Sequence, residues 1–275
     1  MPLALLLATA ARGALRRIGS QVGQDEWVLQ TLGYKRGGTF LDVGAHNGES
    51  NSNSVVMERV YGWSGICIEA NPATFALMEQ RRSCVALDHV LGDGSVVDFC
   101  DLDELGGIVG LEVPSLHRRR ASHSRNVQSV PLADALAAAG APPVIDYLSI
   151  DIEGAELMVL QSLDFSRFRF RTITVEHNAP HVGPEYRQRL RSLLERNGYR
   201  WVKGNDDVQA WGHGPIDDFY VFDGDASSAQ LQSEPPAPST PTAGSAISAK
   251  AAAAAPTIAY LPGDTHVAAP LDLGS

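Results

Sequence analysis

The stretch TFLDVGAHNG, residues 39–48, decides the fold. Its first half is a short β-rich run that ends in Asp42-Val43. Its second half places Gly44 and Gly48 in a loop, so the backbone can turn tightly and approach a ligand without a Cβ in the way. Working outward, similar runs recur as GICIE (65–69), YLSID (147–151) and TITVE (172–176), and residues 25–32, 52–61, 72–82, 132–139, 155–163 and 184–196 read as helices between them. Pro72 suits a first helical turn, and Gly140 and Gly198 stand where helices should stop. Alternation of this kind predicts an α/β fold with a parallel sheet covered on both faces. Residues 96–99 and 219–222 add strands, the last as an antiparallel closing strand. The sequence carries no internal repeat.

Composition agrees. The chain has 275 residues, 44% of them hydrophobic and 20% charged, which suits a soluble globular protein with a sizeable core and excludes a collagen, a coiled coil or a wholly disordered chain. A net charge of −10 repels a phosphate backbone, so the expectation is no nucleic-acid partner. Cys67, Cys84 and Cys100 match neither a zinc pattern nor a disulfide framework, which points to a reducing, cytoplasmic setting.

Both ends differ from the middle. Residues 1–19 hold a short apolar run followed by Arg12, Arg16 and Arg17. A secretory signal would place its basic residues first, and a membrane span would need roughly twenty apolar residues. An organelle transit peptide is an alternative; the preferred reading is an amphipathic lead-in segment packed on the domain, with no transmembrane segment. Residues 224–275 are rich in alanine, proline and serine, and small side chains bury too little area to offset the entropy of ordering the backbone. This segment is expected to be a disordered tail, leaving residues 20–223 as the folded domain.

Open parallel sheets bind ligands outside the carboxyl ends of their strands. In this sequence those ends carry Asp42, Glu69, Asp151 with Glu153, and Glu176 followed by His177 and Asn178. Carboxylates gathered on one edge repel one another unless a cation or hydrogen-bond donors sit among them, so the edge reads as a ligand site. The full dinucleotide glycine fingerprint is absent, because His46 stands where a middle glycine is expected. Glu69, ending the next strand, can accept hydrogen bonds from a ribose diol, which makes the expected ligand a nucleoside.

With these residues in view, SQVGQDEWVL, GGTFLDVGAHNGESNSNSVVMERVYGWSGICIEANP, IDYLSIDIEGAELMVLQSLDF and ITVEHN resemble the FkbM-type S-adenosylmethionine-dependent methyltransferases, in order and over residues 20–222. The resemblance implies a Rossmann-like class I methyltransferase, with a doubly wound, mostly parallel sheet of seven strands and S-adenosylmethionine over the first two. It implies that Gly44, Asn47 and Gly48 line the methionine end of the cofactor beside Asp42, that Glu69 holds the ribose, that Asp88 edges the adenine, and that Gln24 and Asp25 cover the amino-acid moiety.

The donor's sulfonium favours an acidic, partly desolvated pocket, and transfer is an in-line displacement that needs positioning more than covalent catalysis. A hydroxyl acceptor gains from a base, for which Asp151, Glu153, Glu176 and His177 are the candidates. His177 is the natural choice, since an imidazole accepts a proton near neutrality without a large shift. Asp151 and Glu176 then orient the acceptor; a divalent metal held by them with Asn178 is possible but not favoured. The cluster His117, Arg118, Arg119, Arg120, His123 and Arg125 suits an anionic acceptor or, as preferred, a solvated loop. The expected activity is O-methylation of a small molecule or glycan: a hydroxyl on a carbohydrate, glycolipid or secondary metabolite. The alternatives are a nicotinamide-dependent oxidoreductase and a non-catalytic nucleoside-binding module.

Overall fold

The computed structural model of the chain describes residues 19–102, 106–111, 124–204 and 216–223. The expected lead-in segment up to residue 18, the expected tail from 224, and His117, Arg118, Arg119, Arg120 and His123 lie outside the described residues.

In chain order, α1 (Gln24–Thr31), β1 (Thr39–Val43), α2 (Val55–Tyr61), β2 (Ser64–Ile68), α3 (Pro72–Arg81) and β3 (Val85–Leu87) come first. Next are β4 (Val96–Cys100), β5 (Gly107–Ile108), β6 (Ser124–Gln128), α4 (Leu132–Ala138), β7 (Val144–Ile150) and α5 (Glu156–Gln161). The last are β8 (Arg169–Glu176), α6 (Ala179–Val182), α7 (Pro184–Arg196), β9 (Tyr199–Gly204) and β10 (Asp217–Phe222). A seven-stranded sheet has the order β3-β2-β1-β7-β8-β10-β9, with β10 antiparallel to both its neighbours and the other pairings parallel.

Successive side chains of a strand point to opposite faces, and β1 shows what that demands. Leu41 and Val43 enter one core with Leu136 of α4, Leu160 of α5 and Leu190 of α7, while Phe40 enters another with Val28 of α1, Met57 of α2 and Met78 of α3. The sheet is therefore doubly wound, as the alternation predicts. Among the described residues no helix is long and apolar enough to cross a membrane.

Two strand expectations are corrected. Residues 96–99 form a strand, but β4 joins β5 and β6 in a separate antiparallel sheet of order β5-β4-β6 rather than the main one. β10 is antiparallel as expected, yet it inserts between β8 and β9 instead of closing the edge. The YRWVKG run of β9 exposes three of its six residues, so its hydrophobic pattern is too weak to read as the edge strand it is.

Strand order reverses between β1 and β7, and there the backbones come close. Asp151 N donates to Val43 O at 3.0 Å, and Gly44 N to Ile68 O at 2.9 Å. Similar closeness at the other end of β2 sets a test: a Cβ on Gly65 would lie 2.4 Å from Phe40 O. Gly65→Ala is expected to cost about 1–3 kcal/mol by forcing β1 from β2, read as a lower urea midpoint with the slope unchanged.

Candidate active site

The loop after β1 turns through left-handed backbone at Gly44 (φ 84°), His46 (φ 48°) and Gly48 (φ 82°). Asn47 holds the turn, its Oδ1 accepting from Glu49 N at 3.0 Å and Ser50 N at 2.9 Å. Beneath it lies the wholly buried side chain of Arg82, which donates to Glu58, to the Ser52 and Ser54 hydroxyls and to Gly48 O. Asp42 accepts from the Ser54 hydroxyl, and burial raises its pKa against the pull of Arg82. A Cβ on Gly48 would meet Arg82 Cγ at 2.8 Å, so this glycine serves packing under the loop. Gly44 is different. It lines the cleft, and a Cβ there would lie 1.8 Å from Asp151 O.

The cleft opens at the reversal point, with a volume of about 290 Å³, which suits a small-molecule ligand. Glu69 stands at its middle. His46 N donates to Glu69 Oε2 at 2.7 Å and Asn71 N to Oε1 at 2.8 Å, so one carboxyl ties the β1 and β2 loops together. Each carboxylate oxygen can take a second bond, which leaves capacity toward the cleft. Burial pushes the Glu69 pKa up while these backbone donors restrain it. Asn71 caps α3 through Ala73 N at 2.9 Å, and Pro72 takes the first turn as expected.

Apolar walls come from Ile68, Val90, Phe99 and Ile108. The last two belong to the small sheet, whose part in the cleft the sequence reading missed. Arg125 pins that sheet in place: its guanidinium binds Asp101 at 2.8 and 3.2 Å, reaches Ala70 O at 3.3 Å and lies over the Phe99 ring at 5.7 Å. Asp88, the expected adenine contact, is exposed and outside the lining, whereas its neighbours His89 and Val90 line the cleft.

At the opposite end the carboxylates meet. Oxygens of Asp151, Glu153 and Glu176 lie within 4.8 Å of one another, and all three residues line the cleft. Asp151 and Glu176 are close enough to interact directly, and two carboxyl groups so placed favour sharing one proton. Burial raises both pKa values, and the charges of Asp151, Glu153, Glu156 and Asp217 add to the rise at Glu176. The pair thus holds one proton and one negative charge where two full charges would repel. A bridging cation would have to displace that proton. Asn178 Nδ2 donates to Glu176 Oε2 at 2.7 Å, and Gln24, which lines the cleft, hydrogen-bonds Asp217 behind it. Asp25 lies outside the lining and holds Ser20 at the start of α1.

His177 does not join them. Glu176 points into the cleft, so the next side chain along the strand points away. The His177 ring is 1% exposed; Nδ1 accepts from Ala179 N at 3.1 Å, which puts the ring proton on Nε2, 4.0 Å from Asp218 Oδ1. Burial lowers its pKa to about 4 despite Asp218. Asp218 in turn receives Arg187, Arg191 and the Trp201 indole. The expectation of a cleft base at His177 is therefore corrected: the ring is part of the support behind the cleft.

A family model described as the methyltransferase FkbM domain matches residues 42–201. No curated protein matches the sequence. Among solved structures, the chain is similar to a methyltransferase FkbM from Methylobacillus flagellatus KT, at 12% identity and a TM-score of 0.46, over 76% of this chain and 49% of that one. It is also similar to a TehB-like S-adenosylmethionine-dependent methyltransferase from Corynebacterium glutamicum, at 11% identity and TM-score 0.42, over 80% and 100% of the two chains. A third is Aeropyrum pernix fibrillarin with natively bound S-adenosyl-L-methionine, at 15% identity and TM-score 0.40, over 68% and 67%.

The buried position of His177 sets a test. His177→Ala is expected to lower stability by about 1–3 kcal/mol, since it strands the Ala179 N–H in a buried site. Affinity for S-adenosylhomocysteine, measured by calorimetry, is expected to stay within twofold of wild type.

Proposed function

The chain belongs to the FkbM methyltransferase family and is an S-adenosylmethionine-dependent methyltransferase; on that premise we propose O-methylation of an uncharged, polyhydroxylated acceptor such as a carbohydrate or glycolipid headgroup. Membership sets aside the nicotinamide-dependent alternative. The observation that carries the proposal is the close Asp151–Glu176 pair facing the cleft.

The cleft fits the cofactor. Gly44 leaves room at the reversal point, Glu69 keeps acceptor capacity for a ribose hydroxyl beside its bonds to His46, Asn71 and Thr74, and Val90, Phe99 and Ile108 suit a purine face. Gln24 and Gly44 would hold the amino-acid end. When bound, S-adenosylmethionine supplies an electrophilic methyl beside a sulfonium cation. The chain's own residues hold and deprotonate the acceptor: the ionised member of the Asp151–Glu176 pair receives the hydroxyl proton, and Glu153 binds a neighbouring hydroxyl. The described lining has no lysine or arginine to neutralise an anionic acceptor, and it offers Gln21, Gln24, Asn51 and Asn53, which pair with hydroxyls. The same balance of charge disfavours nucleic acid. We take residues 20–223 as the catalytic domain, and the free thiols support a cytoplasmic setting.

Glu69→Ala is expected to weaken S-adenosylmethionine binding by about 1.5–3 kcal/mol, the range for hydrogen bonds to a charged group. Unaltered affinity in a calorimetric titration would place the ribose elsewhere. The base assignment is tested by labelled-methyl transfer to a panel of sugars and hydroxylated metabolites. The double variant Asp151→Asn/Glu176→Gln, which removes both possible bases, is expected to reduce turnover by about 10²-fold or more at saturating cofactor. In wild type, turnover falls as pH drops through the lower of the pair's two steps, which burial of Asp151 raises above the ordinary aspartate value, because the doubly protonated pair accepts nothing. Stability has the opposite sign. Raised folded-state pKa values favour the protonated form, so stability is full below the ordinary carboxylate pKa and declines as pH rises through the raised one. Glu176→Gln should flatten that decline; an unchanged slope contradicts the shared proton.

A further inference from the structure

The loop that delivers Asp151 and Glu153 to the cleft is strained, with Glu153 in left-handed backbone at φ 58°. What fixes it lies underneath. Glu156, 1% exposed at the start of α5, accepts at Oε1 from Ile152 N at 2.9 Å, and Gly154 N is shared between Oε1 and Oε2 at 3.1 Å each. Its Oε2 is 2.8 Å from the Tyr186 hydroxyl of α7. That hydroxyl also lies 3.1 Å from Gly154 O and accepts from Leu157 N at 3.1 Å.

A proton count follows. Tyr186 has one hydroxyl hydrogen and two oxygen neighbours, Gly154 O and Glu156 Oε2. With Glu156 ionised, one of those two close oxygen contacts has no hydrogen in it, in a site closed to water. With the proton on Glu156 Oε2, every contact is satisfied: Glu156 donates to Tyr186, Tyr186 donates to Gly154 O, and the second lone pair of the hydroxyl takes Leu157 N. We infer that Glu156 is a neutral carboxylic acid which, with Tyr186, forms a latch that positions the Asp151–Glu153 loop. The acids near it agree: Glu176 of β8 and Asp217 of β10 interact with it electrostatically, and Asp151 and Glu153 belong to the loop it holds. Burial raises its pKa, outweighing the backbone donors.

The positioning role rests on the methyltransferase reading; the protonation state does not. The experiment compares wild type, Glu156→Gln, Glu156→Ala and Tyr186→Phe at neutral pH. The infrared difference between wild type and Glu156→Gln is expected to show the carbonyl band of a protonated carboxyl; a carboxylate band would overturn the inference. A glutamine reproduces the acid's bonds, its oxygen accepting from Ile152 and Gly154 and its amide donating to Tyr186. Hydrogen exchange at Gly154 and Leu157 in Glu156→Gln should therefore stay within about twofold of wild type. Tyr186→Phe and Glu156→Ala should speed it tenfold or more while the sheet stays protected. Loosening by glutamine as great as by alanine would overturn the neutral acid, and unchanged exchange in Tyr186→Phe would overturn the latch. Tyr186→Phe is further expected to bind S-adenosylmethionine normally and to lose at least tenfold in transfer rate; an undiminished rate would overturn the positioning role. Failure of wild type itself to bind the cofactor would instead overturn the methyltransferase reading and leave the infrared and exchange results standing.

Discussion

At Gly44 the end of β1 approaches the carbonyl of Asp151 at a distance no side chain tolerates, 1.8 Å from where a Cβ would stand. That contact brings the loops of the two central strands together at the point where strand order reverses. One loop carries the turn that hydrogen-bonds Glu69, and the other carries the carboxylates at the far end of the cleft. A bulkier residue at position 44 would push apart the two loops that line the cleft. The buried Arg82 cluster supports the first loop, and Glu156 with Tyr186 supports the second.

Buried acids are a liability unless their charge is reduced or compensated. The two sides of the site meet this differently. Under the glycine loop, Glu58 is paired with the Arg82 guanidinium, and hydroxyl donors complete the network. Around Asp151 and Glu176 no such cation is present among the described lining residues, and on the proposed reading protons take its place, one shared by Asp151 and Glu176 and another on Glu156. The proposed role asks such a site to accept a proton from a hydroxyl and to take a cationic donor rather than an anionic acceptor.

Much of this was legible from periodicity. The four strand runs ending in carboxylates, and the helices between them, reflect packing rules that act locally: both faces of each strand are covered, so apolar residues cluster in short runs. Pro72 and Gly44 were readable for the same reason, since each meets a backbone demand of its own position. What failed depended on register and on distant partners. His177 was misread because the direction of a side chain after a strand end depends on which neighbour already faces the cleft. Asp88 likewise turns out of the cleft that its neighbours His89 and Val90 line. The small sheet escaped because β6, SRNVQ, leaves four of its five residues exposed and so has no hydrophobic signature. Tyr186 sits in a helix pattern like any core aromatic, and only its hydroxyl's three neighbours reveal its role.

Central to the proposed site is a proton held between Asp151 and Glu176 beside the cofactor's sulfonium. Calorimetric titration near neutral pH, in buffers of different ionisation enthalpy, counts protons released on binding. Cationic S-adenosylmethionine should lower the pair's pKa and expel part of that proton, whereas neutral S-adenosylhomocysteine should expel less, and Glu176→Gln should remove the difference. Equal proton counts for the two ligands in wild type would contradict the account.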